Sequence, residues 1–156
     1  MQNDWNPNLF DKVIYFSSSS RDYGWLSNFY ESDITYNSKI YKSGEHLFQS
    51  LKAVDEKGSE WIRKSTTPGI AKKRGRQLIL RDDWDKIKDD KMALTCFHKF
   101  VYNKELIERL LATSNATLVE FTTWNDIYWG VNTEYKGKNI LGKTIMILRD
   151  FIKINS

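Results

Sequence analysis

Glu45, Gln49 and Lys52 stand at i, i+4 and i+7 of the run Ser43–Val54. At roughly 100° per residue this spacing gathers them on one arc of a helix, with Leu47, Leu51 and Val54 as an apolar stripe on the other. A carboxylate, an amide and an amine held on one face of a rigid element are suited to proton transfer and charge stabilisation. The same pattern also reads as an ordinary solvated face, with Glu45 and Gln49 meeting water.

Two further stretches carry chemistry-bearing groups. Trp124-Asn125-Asp126-Ile127-Tyr128-Trp129-Gly130 follows an expected strand over Thr117–Phe121. A strand-end loop with a carboxylate at Asp126 and stacking surfaces at Trp124 and Trp129 suits a ligand. It equally suits an Asx-type turn whose tryptophans plug the core. Gly137-Lys138-Asn139-Ile140-Leu141-Gly142-Lys143 opens the last expected helix, where N–H groups and lysines attract anions. Gly137-x4-Gly142-Lys143-Thr144 matches the Walker spacing, but the segment reads as helix onset with no buried strand before it.

Metal chemistry is not indicated. His46 and His98 are the only histidines, they lie far apart, and no Cys-His spacing accompanies them. Cys96 and His98 sit two apart on one helix and face different ways, which makes a poor nucleophile pair. The lone cysteine precludes an intrachain disulfide and points to a reducing, cytoplasmic setting. No apolar run approaches the ~20 residues of a membrane span. Met1–Trp5 has neither the basic start nor the apolar core of a signal peptide.

Net charge is +4, and its placement is uneven. Arg63, Lys64, Lys72, Lys73, Arg74, Arg76 and Arg81 form a stretch without an acid, which leaves 17 basic against 20 acidic residues elsewhere. Such a stretch attracts phosphate, although a solvated basic helix has the same composition.

The elements that must position these groups follow from periodicity and punctuation. Val13–Phe16 reads as a strand, and Asp33–Tyr36 with Lys39–Tyr41 as a hairpin about Asn37-Ser38. Ser43 caps the helix carrying Glu45. Trp61 and Ile62 lie in a short amphipathic helix. Thr67-Pro68 starts a basic helix reaching about Leu78. Asp82 or Asp83 caps a helix from about Trp84 to Tyr102 with a stripe of Ile87, Ala93, Leu94, Phe97, Phe100 and Val101, from which Trp84 departs. Glu105–Leu111 is helical. The last helix runs from about Asn139 to Ile154 on a face including Ile140, Leu141, Ile145, Leu148, Phe151 and Ile152. With residues 1–11 loosely ordered, 1–156 reads as a single helix-rich α+β domain with a few short strands.

Taken in order, three sets of motifs resemble the NADAR, or YbiA-like, family. They are Leu26-Ser27-Asn28-Phe29 with Tyr41-x-Ser43-x-Glu45-His46-x-Phe48-Gln49-x2-Lys52-Ala53; Gly75-Arg76 with Leu80-Arg81-x2-Trp84; and Asp126-x2-Trp129-Gly130 with Gly137-x-Asn139-x-Leu141-Gly142, Met146 and Arg149. The chain departs from the usual pattern at Asn132 and at Ser114-Asn115, where glycine and Gly-Asp are common. The resemblance implies hydrolysis of a ribosyl C1–N bond without a cofactor. The implied substrate is ADP-ribose on guanine in nucleic acid, or a phosphoribosylamino-pyrimidine intermediate of riboflavin synthesis; the further alternative is a non-catalytic nucleotide or nucleic-acid binder that keeps the pocket, with the basic stretch gripping phosphate. Such cleavage needs charge stabilisation at an oxocarbenium-like carbon and a proton for the leaving base. Glu45 or Asp126 would do the acid–base work. Lys52 would stabilise charge or attack an opened ribose. Trp84 and Trp129 would stack on the base, and Arg76, Arg81 and the Asn139 helix start would hold phosphates. Ser27, Asn28, Phe29, His46, Gln49, Gly130 and Gly142 complete the implied substrate-binding set. The resemblance leaves the oligomeric state open.

Overall fold

The computed structural model describes residues 12–156; the loosely ordered start expected for 1–11 lies outside them. In chain order the elements are β1 (Val13–Phe16), a 3-10 turn (Gly24–Leu26), β2 (Glu31–Tyr36), β3 (Lys39–Ser43), α1 (Gly44–Ser50), α2 (Glu56–Arg63), α3 (Pro68–Gly75), α4 (Trp84–Val101), α5 (Lys104–Ala112), β4 (Thr117–Glu120) and α6 (Ile140–Ile154). The class is α+β, as the sequence indicated. The chain divides into two units, Asn28–Tyr102 and the residues up to Ser27 together with Asn103–Ser156.

In the Asn28–Tyr102 unit, β2 and β3 pair antiparallel around Asn37 and Ser38. These two residues take φ 49° and 62°, the left-handed pair that suits the twist of a two-residue hairpin. Ile34 and Tyr41 point inward and meet Leu47 of α1, with Tyr36, Leu51 and Leu94 packed around them. Ser43 ends β3 and caps α1, its Oγ accepting from the His46 N–H at 3.2 Å. The Asn28 carbonyl accepts the Glu45 N–H at 2.9 Å. Two of the orphan donors of a helix start are thereby satisfied.

α1 is shorter than its periodicity suggests. It ends at Ser50, and Lys52 and Ala53 follow through bonds three residues back, to Gln49 and Ser50. Ala53 then bridges antiparallel to Leu80, and the Arg81 N–H reaches the Lys52 carbonyl at 3.1 Å. This pairing draws the backbone out of the helix. Val54 is therefore 62 % exposed and not part of an apolar stripe. Every residue of α1 is buried, including Glu45 and Gln49, so the solvated-face reading fails.

Thr67 and Pro68 start α3 as expected, with Thr67 Oγ1 accepting from the Ile70 N–H. α3 stops at Gly75 rather than near Leu78, because the Leu80 pairing claims the chain. The buried residues of α4 are Trp84, Met92, Thr95, Cys96, Lys99 and Phe100. Trp84 is thus on the buried side and Ala93 is exposed, a correction to the expected stripe.

In the other unit, β1 runs parallel to β4 in register, Val13 opposite Thr117 and Phe16 opposite Glu120. α6 packs on β4 through Leu141, Gly142 and Ile145, all buried. Phe151, expected on the apolar face, is 50 % exposed. Ser114 takes φ 54°, a conformation that glycine adopts without strain.

Candidate active site

Glu45 and Gln49 are 8 % and 5 % exposed, and the Gln49 Nε2 donates to Glu45 Oε1 at 2.7 Å. The i, i+4 spacing that reads as a wet face is here an internal pair. Lys52 lies past the helix end, half-buried, with its Nζ 5.5 Å from the Phe48 ring centroid and 5.7 Å from that of Trp84. Phe48 and Trp84 lean on each other at 5.3 Å. Trp84 thereby has one flank committed to Phe48 and to the amine.

Burial pushes the Lys52 amine below its ordinary value of 10.5. The Glu45 carboxylate opposes that shift, while Lys72, Arg76 and Lys88 add to it as like charges. A lysine so placed holds a larger neutral, nucleophilic fraction near pH 7 than a surface lysine. Lys72 Nζ stands 5.7 Å from the Phe29 ring centroid. Asn28 is buried, donating from Nδ2 to the Met92 sulfur at 3.2 Å.

The structure therefore brings together Asn28, Phe29, Glu45, Gln49, Lys52, Arg76 and Trp84 in one unit. To these it adds Phe48, Lys72 and Lys88, to which the sequence reading gave no role at the site. Two had a legible signal: Lys72 is four residues before Arg76, and Lys88 four after Trp84, each one helical turn away. A cleft of about 250 Å³ in the same unit is lined by Val54, Trp61, Leu78 and Ile79 among others, and by neither Glu45 nor Lys52.

His46 has a different role from the substrate contact expected of it. It is fully buried, with Nδ1 2.7 Å from Ser43 Oγ and Nε2 3.0 Å from the Ser65 carbonyl. A carbonyl can only accept, so Nε2 carries the proton and Nδ1 accepts from the hydroxyl. Burial pushes its pKa below 6.5. The ring is a neutral brace between α1 and Ser65.

The basic stretch divides by function. Arg63 and Lys39 converge on Glu60 and hold its carboxyl down at about 2. Arg74 lies over the Trp61 ring at 5.0 Å and donates to the Trp61 carbonyl at 2.7 Å. Arg81 makes a two-pronged pair with Asp83 at 3.0 and 3.1 Å. Asp83 occupies the position before α4 without capping it. Lys72 and Arg76 are the two basic residues of the stretch whose charge acts on Lys52.

In the other unit the expected ligand groups form framework. Asp126 Oδ1 accepts the N–H groups of Tyr128 and Trp129 at 3.1 and 2.9 Å, the Asx turn that the sequence also allowed. Trp129 packs edge-on to Tyr128 at 4.8 Å. Gly130 has no room for a side chain, since a Cβ there would lie 2.6 Å from the Glu120 carbonyl. Ser27 is buried, closing the 3-10 turn through its N–H to Gly24.

The helix start at Asn139 is not an open anion site. The N–H groups of Lys138, Asn139, Ile140 and Leu141 donate to the carbonyls of Ile127, Gly130, Tyr128 and Trp129 at 2.8–3.2 Å. Asn139, in the left-handed region at φ 52°, does not cap α6. Its Nδ2 donates to Leu118 O at 2.9 Å and its Oδ1 accepts from Glu120 N at 3.0 Å. β4 turns Thr117 and Phe121 N–H groups toward β1, so Asn139 serves the opposite edge as a one-residue substitute strand. Gly142 lets α6 approach that edge, where a Cβ would overlap the Leu118 carbonyl. Gly142-Lys143-Thr144 lies inside the helix, which rules out a phosphate loop there. No group of three or more His, Cys, Asp or Glu side chains among the described residues could hold a metal. No helix among them is long and apolar enough to cross a membrane.

The profile of the NADAR domain matches residues 15–153. The chain belongs to the NADAR family. It is 42 % identical over 146 residues to the N-glycosidase YbiA of Escherichia coli, covering 92 % of this chain and 91 % of that protein. It is 34 % identical to an N-glycosidase of Nostoc punctiforme, covering 90 % and 93 %. Identity to a riboflavin biosynthesis protein of Vibrio vulnificus is 31 %, covering 94 % of this chain and 40 % of that one. The NMR structure of Escherichia coli YbiA superposes with a TM-score of 0.84 at 41 % identity, covering 93 % of this chain and 87 % of that one. The NADAR motifs quoted from the sequence thus contain both candidate site groups, Glu45 to Lys52 with Trp84, and framework groups, Asn139 and Gly142.

Proposed function

We propose that this NADAR protein is an N-glycosidase that hydrolyses a ribosyl C1–N bond, releasing ADP-ribose from guanine bases in nucleic acid. The observation that carries the reading is the buried Glu45–Gln49 pair beside an amine whose charge is disfavoured by burial and by three neighbouring cations. The names of the relatives from Escherichia coli and Nostoc punctiforme support the reaction class. Glu45 exchanges the proton that the leaving base requires. Neutral Lys52 attacks C1 of the opened ribose, the C1–N bond to the base breaks as the base takes a proton, and a Lys52–C1 imine remains. Water adds to the imine, the amine leaves, and the sugar aldehyde closes to ribose; one water is consumed. Trp84 and Phe29 offer ring faces to the base, and Lys72 and Arg76 offer charge to phosphate.

A second reading, N-glycosidase action on a phosphoribosylamino-pyrimidine, is favoured by the riboflavin-related name of the Vibrio vulnificus relative. Both substrates share ribose joined through C1 to nitrogen with phosphate nearby. Incubating the protein separately with ADP-ribosylated guanine DNA and with the phosphoribosylamino-pyrimidine, and measuring freed base and sugar by mass spectrometry, separates the two. The first reading expects turnover of the DNA at least tenfold more efficient. Turnover of the pyrimidine alone replaces it with the second, and turnover of neither contradicts both.

A further inference from the structure

We infer that Gly75 and Gln49 act together as a positioning relay that fixes the protonation and orientation of Glu45. The inference rests on the reading of Glu45 as the acid–base group and extends it to two residues that act through it.

Gln49 is buried and uses Nε2 to donate to Glu45 Oε1 at 2.7 Å. Its own carbonyl, Oε1, is buried without a hydrogen-bond partner. That oxygen faces Gly75, where a Cβ would overlap it and would lie 2.7 Å from the amide carbon. The amide is therefore wedged: one end is held by Glu45 and the other is backed against the last residue of α3. Only a residue without a side chain leaves space for the carbonyl. A flipped amide would aim its oxygen at the Glu45 carboxylate, two acceptors facing each other, so this orientation suits ionised Glu45. An N–H aimed at a carboxylate favours the charged form.

Beyond the pair, Lys52 interacts with the Glu45 charge, and Lys72 and Arg76 from α3 and its end and Lys88 from α4 act in turn on Lys52. Glu31 and Lys42 of the hairpin act on His46 on the same helix. None of these is altered by truncating Gln49 or extending Gly75, so those changes isolate the amide. Asn28 and Gly44 repeat the arrangement at the start of α1. Asn28 Oδ1 is buried and unpartnered, and a Cβ at Gly44 would lie 2.6 Å from it.

The test is a 13C NMR titration of the Glu45 side-chain carboxyl in the full chain, with kcat/KM against pH alongside. In Gln49→Ala the Glu45 titration should move up by about one pH unit, a tenfold change in its proton equilibrium. Gly75→Ala should move it in the same direction, and the double variant should move it no further than Gln49→Ala alone, since both act through one amide. The double variant has room for the new methyl group, which guards against Gly75→Ala failing to fold. An unmoved Glu45 titration in Gln49→Ala, or a double-variant shift equal to the sum of the singles, overturns the relay. Glu45→Gln tests the underlying reading separately: its pH limb in kcat/KM should vanish with at least a hundredfold loss of turnover. Full turnover there removes the acid–base role of Glu45 whatever the NMR titration gives, and with it the relay's catalytic purpose.

Discussion

Replacing Asn139 with alanine separates a phosphate ligand from a structural clamp. The Asn139 side chain makes two hydrogen bonds to one edge of β4, at 2.9 Å to Leu118 O and 3.0 Å from Glu120 N. Alanine would leave both backbone groups unpaired at a site only 5 % exposed. Each unpaired buried polar group costs about 1–3 kcal/mol. The φ of 52° adds roughly 1–2 kcal/mol for a residue with a Cβ and no local hydrogen bond. The sum starts near 3 kcal/mol, and partial relaxation or entry of water keeps the expectation at about 3–5 kcal/mol. Against a total stability of about 5–15 kcal/mol this is a large fraction. Urea unfolding at 25 °C measures it. Asn139→Gly should recover about 1 kcal/mol of the loss by relieving the backbone, which identifies that component. Unfolding of Asn139→Ala within about 0.5 kcal/mol of the parent with a tenfold rise in KM would refute the clamp, because that pattern belongs to a substrate ligand.

Two further expectations follow from the charge environment. His46 is neutral in the folded protein and its pKa lies below 6.5, so between the two values the unfolded chain binds the additional proton. Stability should fall as pH drops through 6.5, by at most about 1.4 kcal/mol per pH unit, and His46→Gln should flatten that slope in urea titrations from pH 7 to 5; parallel slopes would contradict the neutral brace. Lys88→Gln removes one of the cations that disfavour charge on Lys52. Competitive amine labelling should then place the Lys52 pKa higher but still below its ordinary value, since burial, the largest cause, remains; an unchanged or lower value would refute the coupling.

Local chemistry made much of the framework legible. Asn37-Ser38, Ser43 and Thr67-Pro68 are punctuation whose effect is confined to neighbouring residues, and each performs in the structure the role its residue type suggests. The Glu45–Gln49 spacing was legible as one helical face, but its burial was not, because burial depends on the hairpin, α2, α3 and α4 that enclose α1. The end of α1 is set by equally distant residues. Leu80 and Arg81, which draw Ala53 and Lys52 out of the helix, stand almost thirty residues away and leave no mark on local periodicity. The α6 start looked like an anion site because its lysines and exposed donors are local features, whereas the Ile127–Gly130 carbonyls that occupy the donors arrive through a loop. Asp126 showed both of its possible roles in sequence, and geometry supplied the turn. Family motifs mix candidate site residues with framework, and the structure shows Asn139 as framework through its bonds to Leu118 and Glu120.

The central claim is that Lys52 is the nucleophile of an N-glycosidase. Incubation of the full chain with ADP-ribosylated guanine DNA, and separately with the phosphoribosylamino-pyrimidine, in the presence of sodium borohydride, followed by peptide mapping by mass spectrometry, tests it most directly. A reduced sugar adduct is expected on the peptide containing Lys52, with loss of activity in step with its formation. Sustained turnover with no adduct at Lys52, or an adduct confined to another lysine, would contradict it.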